Sequence, residues 1–396
     1  MNKSIFLIFG VSLLAACGSG GSSDSEPSPI DNGVVEADHL DAINATYAAA
    51  RSITGAGVTV AVIDSGVNIL HDEFAGKTLN ANSASFSSPA SYYTAQEIED
   101  MNLEGRDLID AIETGPQEDV QGHGTHVTGQ VWGENVGVAP GVDLIMLDVY
   151  EQFTPDSVTA KGLIEDLPGF GVDFANASLT GVDYYENSAF LDERPIFEPL
   201  DANNIGWIVA AGNFGVDMTD TFVTNPVDCG TLTQEQRDAN LSCRFVFNAN
   251  DVDLLVKDRT LADNFLWVGA VDDETFEVSE FTIAGDIQAG SNVPGNDPDI
   301  QARWISAPGT LVNGPFFDNA DEYLSVSGTS QAAPLVTGAA ALVKSQFPTM
   351  SNDKVLQVLL DTADDTFAGY DVTLHGQGVL DVEAALKVDP ADYDPI

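Results

Sequence analysis

Residues 58–66 read Val58-Thr59-Val60-Ala61-Val62-Ile63-Asp64-Ser65-Gly66, an almost unbroken apolar run that stops at an acidic residue. Similar apolar runs occur further along the chain, at 142–149, 172–179, 205–211 and 265–271. Runs of this kind, several of them bounded by glycine, are typical of strands buried on both faces of a parallel sheet. The opening run therefore predicts a buried strand with a carboxylate at its carboxyl end.

Helix-like segments separate the predicted strands. One covers 156–167, and two clearer ones cover 330–347 and 351–363. Strands that alternate with helices argue for an open α/β sheet, in which ligands bind beyond the carboxyl ends of the strands. We therefore predict an α/β fold with a central, mostly parallel sheet flanked by helices.

Composition narrows the classes of function. The 396 residues include 62 acidic and 14 basic side chains, which gives a net charge of −48. Such a charge repels phosphate backbones, so nucleic acid is excluded as a partner. Hydrophobic residues make up 44% of the chain, enough for a sizeable core, and this excludes wholesale disorder.

Three short motifs carry side chains that could act in acid–base or nucleophilic chemistry. They are Asp64-Ser65-Gly66, Gly122-His123-Gly124-Thr125-His126-Val127 and Gly328-Thr329-Ser330-Gln331-Ala332-Ala333-Pro334. Each alone is a weak signal, because a strand-end Asp is usually a turn former and a helix-start Ser is usually an N-cap. Together they supply an acid, a base and a hydroxyl in the order Asp, His, Ser, which is one of the orders in which hydrolase triads occur.

With these motifs, residues from about 55 to 387 resemble the catalytic domain of the subtilisin-like serine proteases, or subtilases. Two further segments carry the resemblance, Ala210-Ala211-Gly212-Asn213 and Gly376-Gln377-Gly378-Val379-Leu380-Asp381. The resemblance implies a three-layer fold around the parallel sheet, and a monomer that acts on protein or peptide substrates.

The resemblance also implies the parts of a serine endopeptidase. Ser330 would be the nucleophile, His123 the base that takes its proton, and Asp64 the group that orients the imidazole. Asn213 and the backbone N–H of Ser330 would form the oxyanion hole. The alternative is a catalytically silent subtilase-like lipoprotein that binds peptides or a partner protein.

Substrate binding is expected to follow the family as well. Ser178, Leu179 and Thr180 match the extended segment that pairs with the substrate backbone and borders the P1 pocket, and Ala211 and Gly212 match the opposite wall. The family commonly has glycine where Thr180 stands, so the sequence predicts no preferred P1 residue.

The sequence identifies no definite cofactor for the site, and calcium is the one candidate. A metal site at His71, Asp72 and Glu73 is a minor alternative, and His126 is interpreted as a packed residue. The family's strong calcium loop is missing from the short segment 132–140. The acidic segment 318–322 is interpreted as solvated surface, with a calcium site as its alternative. Many subtilases have methionine where Gln331 stands, so we predict tolerance to peroxide.

The N-terminus resembles a bacterial lipoprotein signal. Residues 1–16 form a short apolar leader, Cys17 would be lipidated, and a Gly/Ser/Pro tether runs to residue 36. Gly18 favours anchoring to the outer membrane of the bacterial envelope, as in lipoprotein subtilases of autotransporter type. An ordinary signal peptide with an incidental cysteine is the alternative.

The remaining sequence is assigned to one catalytic domain, 37–389, followed by an acidic tail, 390–396. Polar insertions are predicted at about 76–120 and 214–262. Cys229 and Cys243 lie in the second insertion, and export into an oxidising compartment favours a disulfide between them over two free thiols.

Overall fold

A computed structural model gives the fold of the chain. It describes residues 35–85, 119, 121–148, 166–178, 199–213, 215–218, 263–283, 287–318 and 320–393.

In the described part of the chain, a parallel sheet of seven strands forms the centre of the molecule, with the strand order β2-β3-β1-β4-β5-β6-β9. Its strands are β1 (Thr59–Asp64), β2 (Ala84–Ser85), β3 (Asp143–Asp148), β4 (Phe174–Ala177), β5 (Gly206–Ala210), β6 (Phe265–Val271) and β9 (Trp304–Pro308). Two antiparallel hairpins are attached, β7 (Glu280–Ile283) with β8 (Ile287–Gly290) and β10 (Val312–Pro315) with β11 (Tyr323–Val326).

The five strands predicted from apolar runs are β1, β3, β4, β5 and β6, and the predicted α/β fold class is confirmed. The edge strand β9 was not predicted. Its sequence is Trp-Ile-Ser-Ala-Pro, in which a serine and a closing proline break up the apolar pattern.

The described helices that have eight or more residues are α3 (His123–Trp132), α5 (Thr329–Gln346) and α6 (Asn352–Asp361). Shorter helices include α1 (Asp38–Ala42), α2 (Thr46–Ala49), α4 (Pro298–Ala302), α7 (Val372–His375) and α8 (Val382–Leu386), and 3₁₀ turns lie at Asp72–Phe74 and Pro390–Asp392. The described residues 166–170 and 199–202 are also helical. The helices predicted at 330–347 and 351–363 correspond to α5 and α6. Most of the helix predicted at 156–167 falls outside the described residues.

Two apolar clusters cover the two faces of the sheet. On one face the buried α5 packs on strands β4, β5, β6 and β9, together with α3 and α6. On the other face Ile63, Ile145, Trp207 and Trp304 belong to the second cluster. Burying β1 on both faces explains its unbroken apolar sequence, and it leaves Asp64 at the edge where the carboxyl ends of the strands meet.

The segment before β1 also packs on this domain. Ile43, Ala45 and Ala48 are buried in the first cluster, and the backbone of Val382 donates a 2.9 Å hydrogen bond to Ile43. Of the helices in the described part of the chain, none combines the length and the apolar composition that a membrane crossing requires.

Candidate active site

The acidic member of the site lies at the end of β1. Asp64 is only 1% exposed, and its Oδ1 accepts a hydrogen bond from the backbone N–H of Ser65 at 2.8 Å. The same oxygen lies 2.7 Å from Nδ1 of His123. The carboxylate is therefore fixed from two directions, and the proton of the imidazole is held on Nδ1.

His123 is the first residue of α3, and two glycines bring it to Asp64. Gly122 caps the helix with a φ of +91°, a conformation that L-residues with side chains rarely adopt. A Cβ on Gly124 would lie 2.2 Å from the carbonyl oxygen of Gly66, so the helix start can approach the end of β1 only because no side chain intervenes.

The pKa of His123 is set by opposing effects. Burial lowers it, but the negative charge of Asp64 and the hydrogen bond to its carboxylate outweigh burial, with a further contribution from the charge of Asp119. The net effect raises the pKa of His123 above its ordinary value. A buried imidazole that still accepts a proton readily is suited to general-base chemistry.

Ser330 is the second residue of α5, close to the helix N-terminus. Its Oγ donates a 3.0 Å hydrogen bond to the carbonyl oxygen of Ser178, and the Oγ of Ser178 donates to the carbonyl of Ser330 at 2.9 Å. This reciprocal pair joins the nucleophile helix to the end of β4. A hydroxyl has a single proton, so in this arrangement the proton of Ser330 is directed to Ser178.

Asn213 follows β5 and is oriented by Thr329. Its Oδ1 accepts hydrogen bonds from the backbone N–H and from the hydroxyl of Thr329, both at 2.9 Å. The Thr329 hydroxyl accepts in turn from the backbone N–H of Gly212 at 3.0 Å. Because the amide oxygen is already engaged, the amide nitrogen of Asn213 is the group available to bind a developing oxyanion.

The sequence of the chain matches the subtilase family, peptidase S8, over residues 55–379. The chain belongs to this family. The predicted resemblance to subtilases is confirmed. Membership in the family supports the prediction that the protein is a serine protease.

Two relatives match this subtilase over most of its length. Subtilisin DY of Bacillus licheniformis is 27% identical over 351 residues, which cover 87% of this chain and 96% of the relative. The serine protease AprX of Bacillus subtilis is 25% identical over 350 residues, covering 84% and 67% of the two chains.

Solved structures share the fold of this subtilase. MycP1 with its N-terminal propeptide removed aligns with a TM-score of 0.57 at 22% identity, covering 89% of this chain and 97% of that one. The MycP3 protease from the type VII (ESX-3) secretion system also gives a TM-score of 0.57, at 24% identity, with coverages of 91% and 90%.

The predicted substrate-binding residues of this subtilase are only partly described. Ser178 lies beside Ser330 as given above, whereas Leu179 and Thr180 lie outside the described residues. Ala211 and Gly212, the predicted opposite wall, are held by a residue that sequence reasoning missed, the buried Asn292. Its Nδ2 donates to the carbonyl of Ala211 at 2.8 Å, and its backbone N–H donates to the carbonyl of Gly212 at 2.9 Å.

Two other predicted sites, the lipidation site Cys17 and the Cys229–Cys243 pair, also lie outside the described residues. His126 is packed as predicted, because its Nε2 bonds the carbonyl of Leu324 at 3.0 Å and burial lowers its pKa to about 4.

The minor alternative of a metal site at His71, Asp72 and Glu73 is not favoured by the contacts of His71 and Glu73. Nδ1 of His71 accepts from the backbone of Glu73 at 3.1 Å, and the carboxylate of Glu73 accepts from the backbone of Val136 and from the hydroxyl of Tyr323. Within the described ranges, no group of three or more His, Cys, Asp and Glu residues could hold a metal ion. Calcium at 318–322 stays an untested alternative to solvated surface.

Sequence reasoning also missed a buried chain of neutral hydrogen bonds that leads from α5 to Ser178, the hydrogen-bond partner of Ser330. Thr337 on α5 donates to Oδ1 of Asn176 at 3.0 Å, and Nδ2 of Asn176 donates to the Oγ of Ser178 at 3.0 Å. Asn176 is fully buried in β4. The only sequence signal was a polar residue inside an otherwise apolar strand.

Proposed function

We propose that this subtilase is an active serine endopeptidase in which Asp64, His123 and Ser330 form the catalytic triad. The observation that carries the proposal is the buried 2.7 Å contact between Asp64 and Nδ1 of His123, in a setting that raises the pKa of the imidazole. Ser330 lies on α5, which packs directly against the helix that carries His123.

Catalysis begins when the main chain of a substrate pairs with the segment that follows β4. The substrate's N–H groups compete for the carbonyl of Ser178, to which the Ser330 hydroxyl donates in the free enzyme. Once released, the Ser330 hydroxyl can donate to Nε2 of His123. The imidazole accepts that proton as Oγ attacks the scissile carbonyl carbon.

The negative charge that develops on the carbonyl oxygen is then stabilised. Nδ2 of Asn213 and the backbone N–H of Ser330 donate to it, and the positive end of the α5 dipole lies at the same place. His123 returns its proton to the leaving amine, which leaves an acyl-enzyme on Ser330. Water activated by His123 hydrolyses the ester and restores the serine.

The test is digestion of an unfolded protein by the purified chain, beside Ser330→Ala as a matched control. We expect internal cleavages with new amino termini from the wild type, and an intact substrate from the control. Many cleavages would favour a scavenging peptidase, whereas one cleavage in one protein would favour a specific processing enzyme. An intact substrate that is retained by both forms would overturn the proposal in favour of the silent peptide binder.

We also propose that the enzyme is anchored to the bacterial cell envelope through Cys17. The support is the sequence, in which a short apolar leader ends at Leu14-Ala15-Ala16-Cys17 and a polar tether follows. Stable anchoring requires more than one acyl chain. Labelled fatty acid should enter the wild type and not Cys17→Ala, and outer-membrane fractions should contain the labelled protein. Export of an unlabelled, soluble wild type would contradict the anchor.

A further inference from the structure

A second buried carboxylate lies next to the triad, and the mechanism above does not use it. Asp119 is 8% exposed. Its Oδ1 accepts hydrogen bonds from the hydroxyl of Ser65 at 2.9 Å and from the backbone N–H groups of Gln121 at 3.0 Å and Gly122 at 2.8 Å. Its Oδ2 accepts from both the backbone and the hydroxyl of Thr125, each at 2.7 Å.

These contacts connect the two elements that carry the acid and the base. Ser65 follows Asp64 at the end of β1, and its hydroxyl also accepts from the backbone N–H of Gly124 at 2.9 Å. Gly122 provides no side chain to cap α3, so Asp119 takes the place of an N-cap residue from outside the helix. The carboxylate therefore fixes the start of the helix against the end of the strand.

We propose that Asp119 is a positioning residue of the acid–base pair, which holds His123 against Asp64 and stabilises the imidazolium by its own negative charge. The inference rests on the proposed function. It adds Asp119 to Asp64 and His123 as a third titratable group of the proposed active site. In this proposal Asp119 acts through His123 and not on the substrate.

The charges in this region support a coupled pair. Asp64 on β1 and Asp119 are the two carboxylates that raise the pKa of His123 against the effect of burial. His126, on the same helix, stays neutral near pH 7 because burial lowers its pKa to about 4. Burial raises the pKa of Asp119 to about 6, although hydrogen bonds from Thr125, Gly122 and Gln121 oppose it.

The direction of the pH effect follows from these shifts. The folded protein binds more protons at Asp119 than the unfolded chain does, between the ordinary pKa of Asp and about pH 6. Stability contributed by this group is therefore lost as the pH rises through that range. A buried charge that destabilises the fold at neutral pH is expected where the charge serves the site.

The test measures the pKa of His123 directly, by NMR titration of its imidazole in a Ser330→Ala background that prevents self-digestion. Asp119→Asn removes the charge, and we expect the His123 pKa to fall by about one unit. Asp173→Asn is the matched control, because Asp173 binds the backbone of Thr59 at the opposite end of β1. The control should leave the His123 pKa unchanged.

An Asp119→Asn protein that is folded and has an unchanged His123 pKa would overturn the proposal and leave Asp119 as a structural cap only. If that variant does not fold, the titration of the Ser330→Ala protein alone decides. A coupled pair predicts a second inflection near pH 6 in the His123 signal, and a single-step curve contradicts it. These readouts need no turnover, so they are separate from the digestion test of the proposed function.

Discussion

The two halves of the candidate site are held in different ways. In the acid–base half, Asp64 and Asp119 are buried carboxylates that contact His123 or the start of its helix at 2.7–3.0 Å. In the nucleophile half, Ser330 and Asn213 are held by neutral donors and acceptors, and the hydroxyl of Ser330 donates to Ser178. In the proposed mechanism the acid–base half is thus assembled before substrate arrives, whereas Ser330 must change its hydrogen bond.

Substitutions should therefore affect the two halves of the site differently. Buried charges interact strongly when paired, so changes in the acid–base half should alter protonation and rate together. Each neutral hydrogen bond contributes less free energy than a buried charge pair. Changes in the nucleophile half should therefore alter the geometry of the site and lower the rate by smaller factors. Four substitutions examine this contrast.

The largest effect is expected from Asp64→Asn, which keeps the shape and removes the charge. The new amide can present a donor to Nδ1 of His123 and so favour the wrong imidazole tautomer. We expect kcat to fall by about 10⁴-fold. Steady-state kinetics on a peptide ester or amide would measure it, and a loss below tenfold would show that the Asp64–His123 contact is not needed for catalysis.

Asn213→Ala should have the next largest effect, because it removes one donor from the oxyanion hole. The expected loss is about 10²- to 10³-fold in kcat, with little change in KM. A change confined to KM would instead assign Asn213 to ground-state binding of the substrate.

Thr337→Val breaks the buried chain behind the nucleophile without changing the shape of the side chain. One neutral hydrogen bond contributes about 1 kcal/mol, so we expect a decrease of roughly two- to tenfold in kcat. Thr337→Ser, which restores the hydroxyl, is the matched control and should recover most of the rate. Equal losses in both variants would mean that packing, and not the bond to Asn176, supports the site.

The smallest effect on the untreated enzyme is expected from Gln331→Met. Gln331 is 1% exposed and follows the nucleophile. Without peroxide the two enzymes should have similar rates. In mild peroxide the variant should lose activity faster, because a methionine sulfoxide is bulkier and more polar. Rapid inactivation of the wild type would contradict the predicted tolerance.

The proposed triad residues could be predicted from the sequence because they lie in short motifs. Asp64, His123 and Ser330 each stand where an apolar strand ends or a helix begins, next to glycines that permit close approach. The apolar runs located five of the seven described strands of the parallel sheet, because a strand buried on both faces must be apolar throughout.

The supporting residues could not be found in the same way. Asp119 lies in the polar stretch 76–120, where no periodicity marks it, and its partners come together only through the contact of α3 with β1. Its one local signal is an acidic residue four positions before His123, at the start of a helix. Asn292 and Thr337 depend on contacts between elements distant in the sequence.

Labelling of the folded, soluble protein with a fluorophosphonate would decide whether the triad works. Such a probe needs an activated serine and an oxyanion hole together. An active enzyme gives one adduct per chain on Ser330, located by mass spectrometry, and none in His123→Ala. Folded protein that carries no adduct on Ser330, or that labels equally well without His123, would contradict the catalytic triad.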